Sequence, residues 1–277
     1  MAKVSFWGVQ HGLGTTSTTA AIAAWLGFEY QMRILLSQPQ MADTTLEQCF
    51  FKAINPYNRQ IHEFSGTGID ALERAVRSNK LERDTIKNHA LILDQGFDLL
   101  EGTKRLDKLQ FENSNDALNI IFDTAQQYYE MVLLDVHSGL GSKLALETIE
   151  TSDLVVVCLN QNINILDKYF KQQFKPESLS RIPHIVLLGQ YDEESKYKLR
   201  NIASKYKFKG KLLALPYNTG YRDAMNDGDL KNFFIKHRHI QKGNLNFKFF
   251  SQVQKISNVI LEEVGLNPKQ YEERRLQ

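Results

Sequence analysis

The sequence predicts an α/β fold: a doubly wound, mostly parallel sheet of about seven strands with helices on both faces. Three observations carry this. Short, continuously apolar runs rich in Val, Ile and Leu recur along the chain, as strands buried on both faces require. Longer helix-like segments alternate with them, the pattern of βαβ units joined by right-handed crossovers. The first run, VSFWGV (4–9), passes through a glycine-rich turn directly into an Ala- and Thr-rich helix.

In order, the strand runs are VSFWGV (4–9), RILLS (33–37), LILD (91–94), MVLLD (131–135), LVVVCL (154–159), HIVLLG (184–189) and KLLALP (211–216). The first helix spans 16–27. The next, 68–80, has apolar positions at Ile69, Leu72 and Val76. A third, 114–129, opens on Ser114 as its N-cap. Helices over 194–207 and 245–264 follow; the latter has apolar positions at Phe249, Phe250, Val253, Ile256, Val259 and Ile260. Residues 40–66 are the least regular stretch and read as a surface insertion. No repeat, low-complexity tract or Pro/Gly linker divides the chain. Residues 1–277 therefore read as one domain, with a C-terminal helix near 245–264 and a polar tail.

Composition narrows the class. Hydrophobic residues make up 42% and charged residues 24%, enough for a sizeable core and against global disorder. The two cysteines, Cys49 and Cys158, give neither a disulfide framework nor a zinc spacing; Cys158 reads as a buried small hydrophobe. Trp7 and Trp25 read as core. No run approaches the 18 or so apolar residues of a membrane span, and the N-terminus reads as a strand rather than a signal peptide. A cytoplasmic protein is expected.

The net charge of +2 conceals segregation. Residues 195–261 hold 14 Lys or Arg against 3 Asp or Glu, and the rest of the chain holds 20 against 29. The stretch SKYKLRNIASKYKFKGK (195–211) has seven basic residues, no acid and three interleaved aromatics. Such a surface suits nucleic acid, an acidic partner, a membrane surface or head-to-tail self-association; a solvated lysine face is the bland alternative.

The turn GVQHGLGTTST (8–18) carries the chemistry. Backbone N–H groups at a helix N-terminus favour an anion, and Gly12 and Gly14 permit close backbone approach. Thr16 or Ser17 offers a hydroxyl to Mg²⁺. The alternative is a tight strand-to-helix connection with capping threonines. MVLLD (131–135) ends an apolar strand on an aspartate, as Walker B strands do.

With these residues, the chain resembles the ParA/MinD family, the deviant Walker A branch of P-loop ATPases. The family loop K-G-G-x-G-K-T-T matches Gln10, His11, Gly12, Leu13, Gly14, Thr15, Thr16 and Ser17. DVHSG (135–139) resembles D-x-P-x-G, and TSDLVVVCLNQN (151–162) resembles the strand that follows. VLLGQYD (186–192) is similar to a strand ending N-R-Y-D, and DLLEG (98–102) to L-P-A-G. LLALPYNTGYRDAMNDG (212–228) is similar to the last core strand with its Pro-Tyr-Asn turn and helix. The resemblance runs in order over residues 3–265. It implies a nucleotide among Gly12, Gly14, Thr15, Thr16, Ser17 and Pro216, and Mg²⁺ at Thr16 and Asp135. Gln10 and His11 would make an interface or anion contact.

The departures fall on catalytic positions. The phosphate lysine is Thr15 and the signature lysine is Gln10. The strand-2 motif D-x-D-P-Q reads Leu36, Ser37, Gln38, Pro39, Gln40, and the adenine-reading asparagine is Gly189. Losing one placed donor costs about 10²–10³ in rate, so several losses leave little hydrolysis. Weak ATP binding with Mg²⁺, or none, is expected, and no catalytic residue is assigned. Lys143 is a candidate to replace the missing cation. Asp135 reads as an Mg²⁺-water ligand or as a strand-end carboxylate that caps the loop. His137 reads as structural.

The resemblance implies a homodimeric scaffold that positions a pilus, secretion, conjugation or partition assembly through a protein partner. An atypical loop on this fold is similar to TadZ-like localisation proteins, although no receiver-like domain precedes the loop. The alternative is an ATP-dependent dimerisation switch with non-specific DNA binding through residues 195–261. The tail NPKQYEERRLQ does not resemble the amphipathic membrane-targeting helix of MinD.

Overall fold

The computed structural model describes residues 1–40, 45–52, 66–103 and 115–276. Ser114 and most of the 40–66 stretch lie outside the described residues. Eight strands form one sheet among the described residues: β1 (Ala2–Gly8), β2 (Ile34–Ser37), β3 (Leu91–Asp94), β4 (Phe97–Leu100), β5 (Met131–Asp135), β6 (Leu154–Leu159), β7 (His184–Tyr191) and β8 (Leu212–Pro216). Their order is β3-β4-β2-β5-β1-β6-β7-β8, and every pairing is parallel except β3 with β4.

The helices are α1 (Thr15–Ala24), α2 (Gly68–Arg77), α3 (Arg83–Asn88), α4 (Asn115–Ala125), α5 (Lys143–Glu150) and α6 (Ile163–Phe170). They continue with α7 (Leu199–Tyr206), α8 (Thr219–Asn226), α9 (Leu230–Lys236), α10 (Phe247–Glu263) and α11 (Pro268–Leu276). Both sheet faces are covered, which is why the strand runs are continuously apolar. Along β1, Val4 and Phe6 enter the core under α1 and α10, while Trp7 enters the opposite core with Val132, Leu134 and Val157. Filling both cores in this way stabilises by about 1.5–3 kcal/mol per fully buried large apolar side chain.

α1 lies between the sheet and a layer formed by α9 and α10. It is buried almost all round, so only small side chains fit, and Ala20, Ala21, Ala23 and Ala24 supply them. The helix then widens into one π-turn, Trp25–Glu29. Gly27 is required there: a Cβ would come within 2.2 Å of the Phe97 ring.

The mostly parallel sheet expected to hold about seven strands has eight among the described residues, because FDLL (97–100) forms β4 and supplies the parallel partner of β2. LILD (91–94) instead folds back antiparallel as the edge strand β3, with Ile92 exposed. The polar tail is also helical. α11 docks through Tyr271 and Arg275, and Arg275 reaches Glu29 at 3.0 Å and covers the Trp25 ring. Glu29 is fully buried and also accepts from Arg238 at 3.0 Å, so two guanidiniums satisfy one carboxylate.

Candidate functional site

β1 is the switch point of the sheet: the strands built from residues 34–135 lie to one side and β6, β7 and β8 to the other. Ligand crevices of doubly wound sheets open at the carboxyl ends of strands at such a point. The chain leaves β1 at Gly8 and turns through Gly12 and Gly14, both at φ +80°. Gly14 is the N-cap of α1; it holds a left-handed conformation that costs an L side chain strain and makes no side-chain cap. No acidic residue occupies the first turn of α1. The Ser17 hydroxyl donates to the Gly14 carbonyl at 3.0 Å, and Trp7 Nε1 donates to the Gly139 carbonyl at 3.0 Å, tying the turn to the segment after β5.

A cavity of about 750 Å³ opens over this turn. Gly12, Gly14, Thr15, Thr16, Ser17, His11 and Asp135 all line it, so most of the predicted site residues converge. The remaining ones do not. Pro216 lines a neighbouring depression with Tyr217 and Lys248. Gln10 is exposed beside Lys168, whose Nζ donates to it at 3.5 Å. Lys143 opens α5, is mostly exposed and pairs with Glu147 at 3.4 Å; it does not line the cavity. Gly189 packs beneath the turn, where a Cβ would meet the Leu13 carbonyl at 3.2 Å. The next residue, Gln190, lines the cavity instead, at φ +50° where the β7–β8 register shifts.

Asp135 is the electrostatic centre. Its Oδ2 accepts from the Thr16 hydroxyl at 2.6 Å and from Gln38 Nε2 at 2.6 Å. Gln38 is held in turn, its Oε1 accepting from the backbone N–H groups of Thr45 and Leu46. Burial pushes the Asp135 carboxyl up to about 7, against the opposing effect of the two hydrogen bonds. The sequence registers Gln38 only as a lost aspartate. In space it is a replacement, because an amide donates to Asp135 where a second carboxylate would repel it. The motif spacing is the signal that could have found this contact. Gln190, Gln48 and Asn226 also line the cavity, and no local pattern marks them.

Among the described residues no Lys or Arg lines this cavity; its imidazoles are His11 and His137, in edge-to-face contact at 4.6 Å. Also among the described residues, no group of three or more His, Cys, Asp or Glu could hold a metal ion, and no helix is long and apolar enough to cross a membrane.

The parallel sheet, the glycine turn opening α1 and the aspartate ending β5 together define a P-loop NTPase fold of the ParA/MinD kind. Comparison with solved structures agrees. A ParA family ATPase from Chlorobium tepidum TLS superimposes with a TM-score of 0.70 over 92% of this chain and 98% of its own, at 11% identity. The septum site-determining protein MinD from Pyrococcus horikoshii OT3, complexed with Mg-ADP, gives 0.67 over 96% and 99%, at 14% identity. MinD in the MinC:MinD cell division complex of Aquifex aeolicus gives 0.65 over 95% and 96%, at 13% identity. No protein-family model and no curated protein sequence matches the chain. The fold is thus that of ParA and MinD ATPases.

That fold implies Mg²⁺ and ATP. The turn has the shape of an anion cradle, but the described residues do not supply the charge that a Mg-triphosphate needs. Thr15, which opens α1, is buried, with its hydroxyl 2.9 Å from where a Cβ on Gly8 would lie. Thr16 and Asp135, which would face a cation on this fold, are hydrogen-bonded to each other, and Gln38 is the second donor to Asp135.

Proposed function

We propose that this chain is a ParA/MinD-like scaffold whose phosphate loop supports little or no ATP hydrolysis. In this reading it is a cytoplasmic homodimer, folded as one domain, that positions a larger assembly through a protein partner. One observation carries it: the cavity keeps the glycine cradle yet, among the described residues, has no Lys or Arg, while its carboxylate is tied to Thr16 and Gln38. Fixed cations aimed at the phosphates account for much of phosphoryl-transfer catalysis, and among the described residues the cavity has none. A MinD neighbour is found complexed with MinC, a precedent on this fold for work done through a partner.

The test is calorimetric titration with Mg·ATP and Mg·ADP, read together with light scattering and phosphate release. Expected are weak or undetectable nucleotide binding, a dimer that forms without nucleotide, and no turnover. Micromolar Mg·ATP binding that converts monomer to dimer, with turnover abolished by Asp135→Ala, would overturn the proposal.

A second reading has its own support. Of the seven basic residues in 195–211, only Lys211 meets a carboxylate among the described residues, Glu263 at 2.6 Å. In 230–261, by contrast, Lys231, Arg238 and Lys248 pair with Asp94, Glu29 and Glu193. The unpaired charge therefore concentrates around α7, where Lys196 and Lys205 lie over Tyr197 and Tyr206. That surface suits the phosphates of non-specific duplex DNA, as in a partition-type switch. Binding to random duplex that weakens steeply with salt and is lost on charge reversal in α7 would favour this reading.

A further inference from the structure

A directed chain of hydrogen bonds crosses the helical layer beside the cavity. His237 is the C-cap of α9, and its Nδ1 lies 2.7 Å from the Phe233 carbonyl. Its Nε2 lies 2.9 Å from Nδ2 of Asn246, the residue before α10. Asn246 Oδ1 accepts from Asn218 Nδ2 at 2.8 Å. Asn218 is the N-cap of α8, and its Oδ1 accepts from the Tyr221 N–H at 2.7 Å. Both ends of the chain are backbone groups with fixed roles: the Phe233 carbonyl can only accept and the Tyr221 N–H can only donate. A carboxamide donates at one atom and accepts at the other, so the two ends set the direction of every bond between them. The chain closes without conflict only when His237 is neutral with its proton on Nδ1. Once protonated, the imidazole donates from both nitrogens. Asn246 must then turn its carbonyl to His237 and its amide to Asn218. Asn218 must turn in the same sense, which leaves its amide facing the Tyr221 N–H, donor to donor.

We propose that this chain makes the N-terminus of α8 a proton-sensitive joint, capped while His237 is neutral and loosened when His237 takes up a proton. Among the described residues the His237 ring nitrogens bond to Phe233 and Asn246, and no carboxylate meets them. On α9, Lys236 and His239 are exposed, and Arg238 is turned to Glu29 and the Phe28 carbonyl. The ring lies against Phe233 at 4.6 Å and, from α10, against Phe250 at 5.6 Å. Lys248 on α10 pairs with Glu193, and on α8 Arg222 and Asp223 are exposed. α8 bears on the cavity: Met225 and Asn226 line its wall, and the Tyr221 hydroxyl donates to the Ser17 carbonyl of α1 at 2.5 Å. A proton taken up in the C-terminal layer thus acts on the cavity wall and on α1.

The experiment is NMR on the full chain, with histidine ring signals and amide hydrogen exchange followed from about pH 8 to about pH 5, the window in which histidine charges. Protection is taken relative to an unstructured chain at each pH. Expected at the upper end is His237 with its proton on Nδ1. As pH falls, the Tyr221 amide loses protection by about two- to tenfold, the effect of one lost hydrogen bond. The loss keeps step with the ring signal of His237 rather than with that of exposed His239. The amide of Asn164, capped by Asn162 in α6 with no histidine attached, keeps its protection. Asn218→Asp separates the chain from a general effect of acid. A carboxylate still caps α8 and accepts from both Tyr221 and Asn246, so Asn246 offers its carbonyl to the His237 imidazolium. Protonation then completes the chain, and Tyr221 protection rises as pH falls. The proposal is overturned if His237 carries its proton on Nε2 at the upper end, or if Tyr221 protection does not follow the His237 ring. It is equally overturned if Asn218→Asp responds to acid as wild type does.

Discussion

Replacing Asp135 with asparagine tests the electrostatics at the centre of the site. Both hydrogen bonds to Asp135 reach one oxygen, Oδ2, from Thr16 and Gln38 at 2.6 Å each. An asparagine placing its carbonyl oxygen there keeps both donors and removes only the charge. In the folded protein burial raises the Asp135 carboxyl from 3.8 to about 7. The folded state therefore holds a proton that the unfolded chain has released, so the stability contributed by Asp135 is greatest below pH 4 or so. It falls as pH rises towards 7 and levels off above it. The fall is worth about 4 kcal/mol across this window, an upper bound on this residue's contribution. Asp135→Asn removes the fall, and near pH 8 it is more stable than wild type by up to that amount. Urea denaturation between pH 4.5 and 8.5, without Mg²⁺, reads the difference directly. If wild type and variant run parallel with pH, or the variant is weaker throughout, then Asp135 is ionised and stabilised in the fold. The account of Asp135 as a carboxyl held protonated by burial would then be wrong.

Three further predictions follow from separate contacts. Thr15→Lys places a cation at the cradle; a charge-assisted phosphate contact of about 1.5–3 kcal/mol raises Mg·ATP affinity roughly tenfold to a hundredfold by calorimetry. No gain would mean that the turn is not shaped for phosphate. Glu29→Gln leaves Arg238 and Arg275 without their shared carboxylate and lowers stability by about 3–5 kcal/mol. Hydrogen exchange should rise in α11 more than in β1, and equal protection in α11 would refute its docking through this cluster. Gly27→Ala drives a methyl into the Phe97 ring and costs about 1–3 kcal/mol. In a double-mutant cycle, Phe97→Leu should recover part of that loss, and strict additivity would show that the clash is not the cause.

Some of this was legible in the residues alone. A run such as LVVVCL is apolar at every position because both faces of β6 are covered, so local composition reported a tertiary fact. The glycines of the turn and the aspartate ending β5 were equally plain, since backbone conformation and strand-end chemistry are written within a few residues. Where the reading failed, the deciding partner was remote in sequence. LILD and FDLL are both apolar tetrapeptides; register against β2, some sixty residues earlier, makes FDLL the parallel strand and leaves LILD at the edge. The tail reads as polar, yet Tyr271 and Arg275 find the Trp25–Glu29 turn. Gln38 looked like a deletion until Asp135 was placed 2.6 Å away. The basic segment read as one field, whereas Glu29, Asp94, Glu193 and Glu263 neutralise part of it and leave the charge around α7. The sequence by itself determined the buried strand runs, the glycine turn and a turn without lysine, because these depend on neighbouring residues and on burial. Which polar groups face one another, and hence what the cavity can hold, was decided only when the chain folded, because hydrogen bonds and ion pairs depend on distances that the order of residues does not contain.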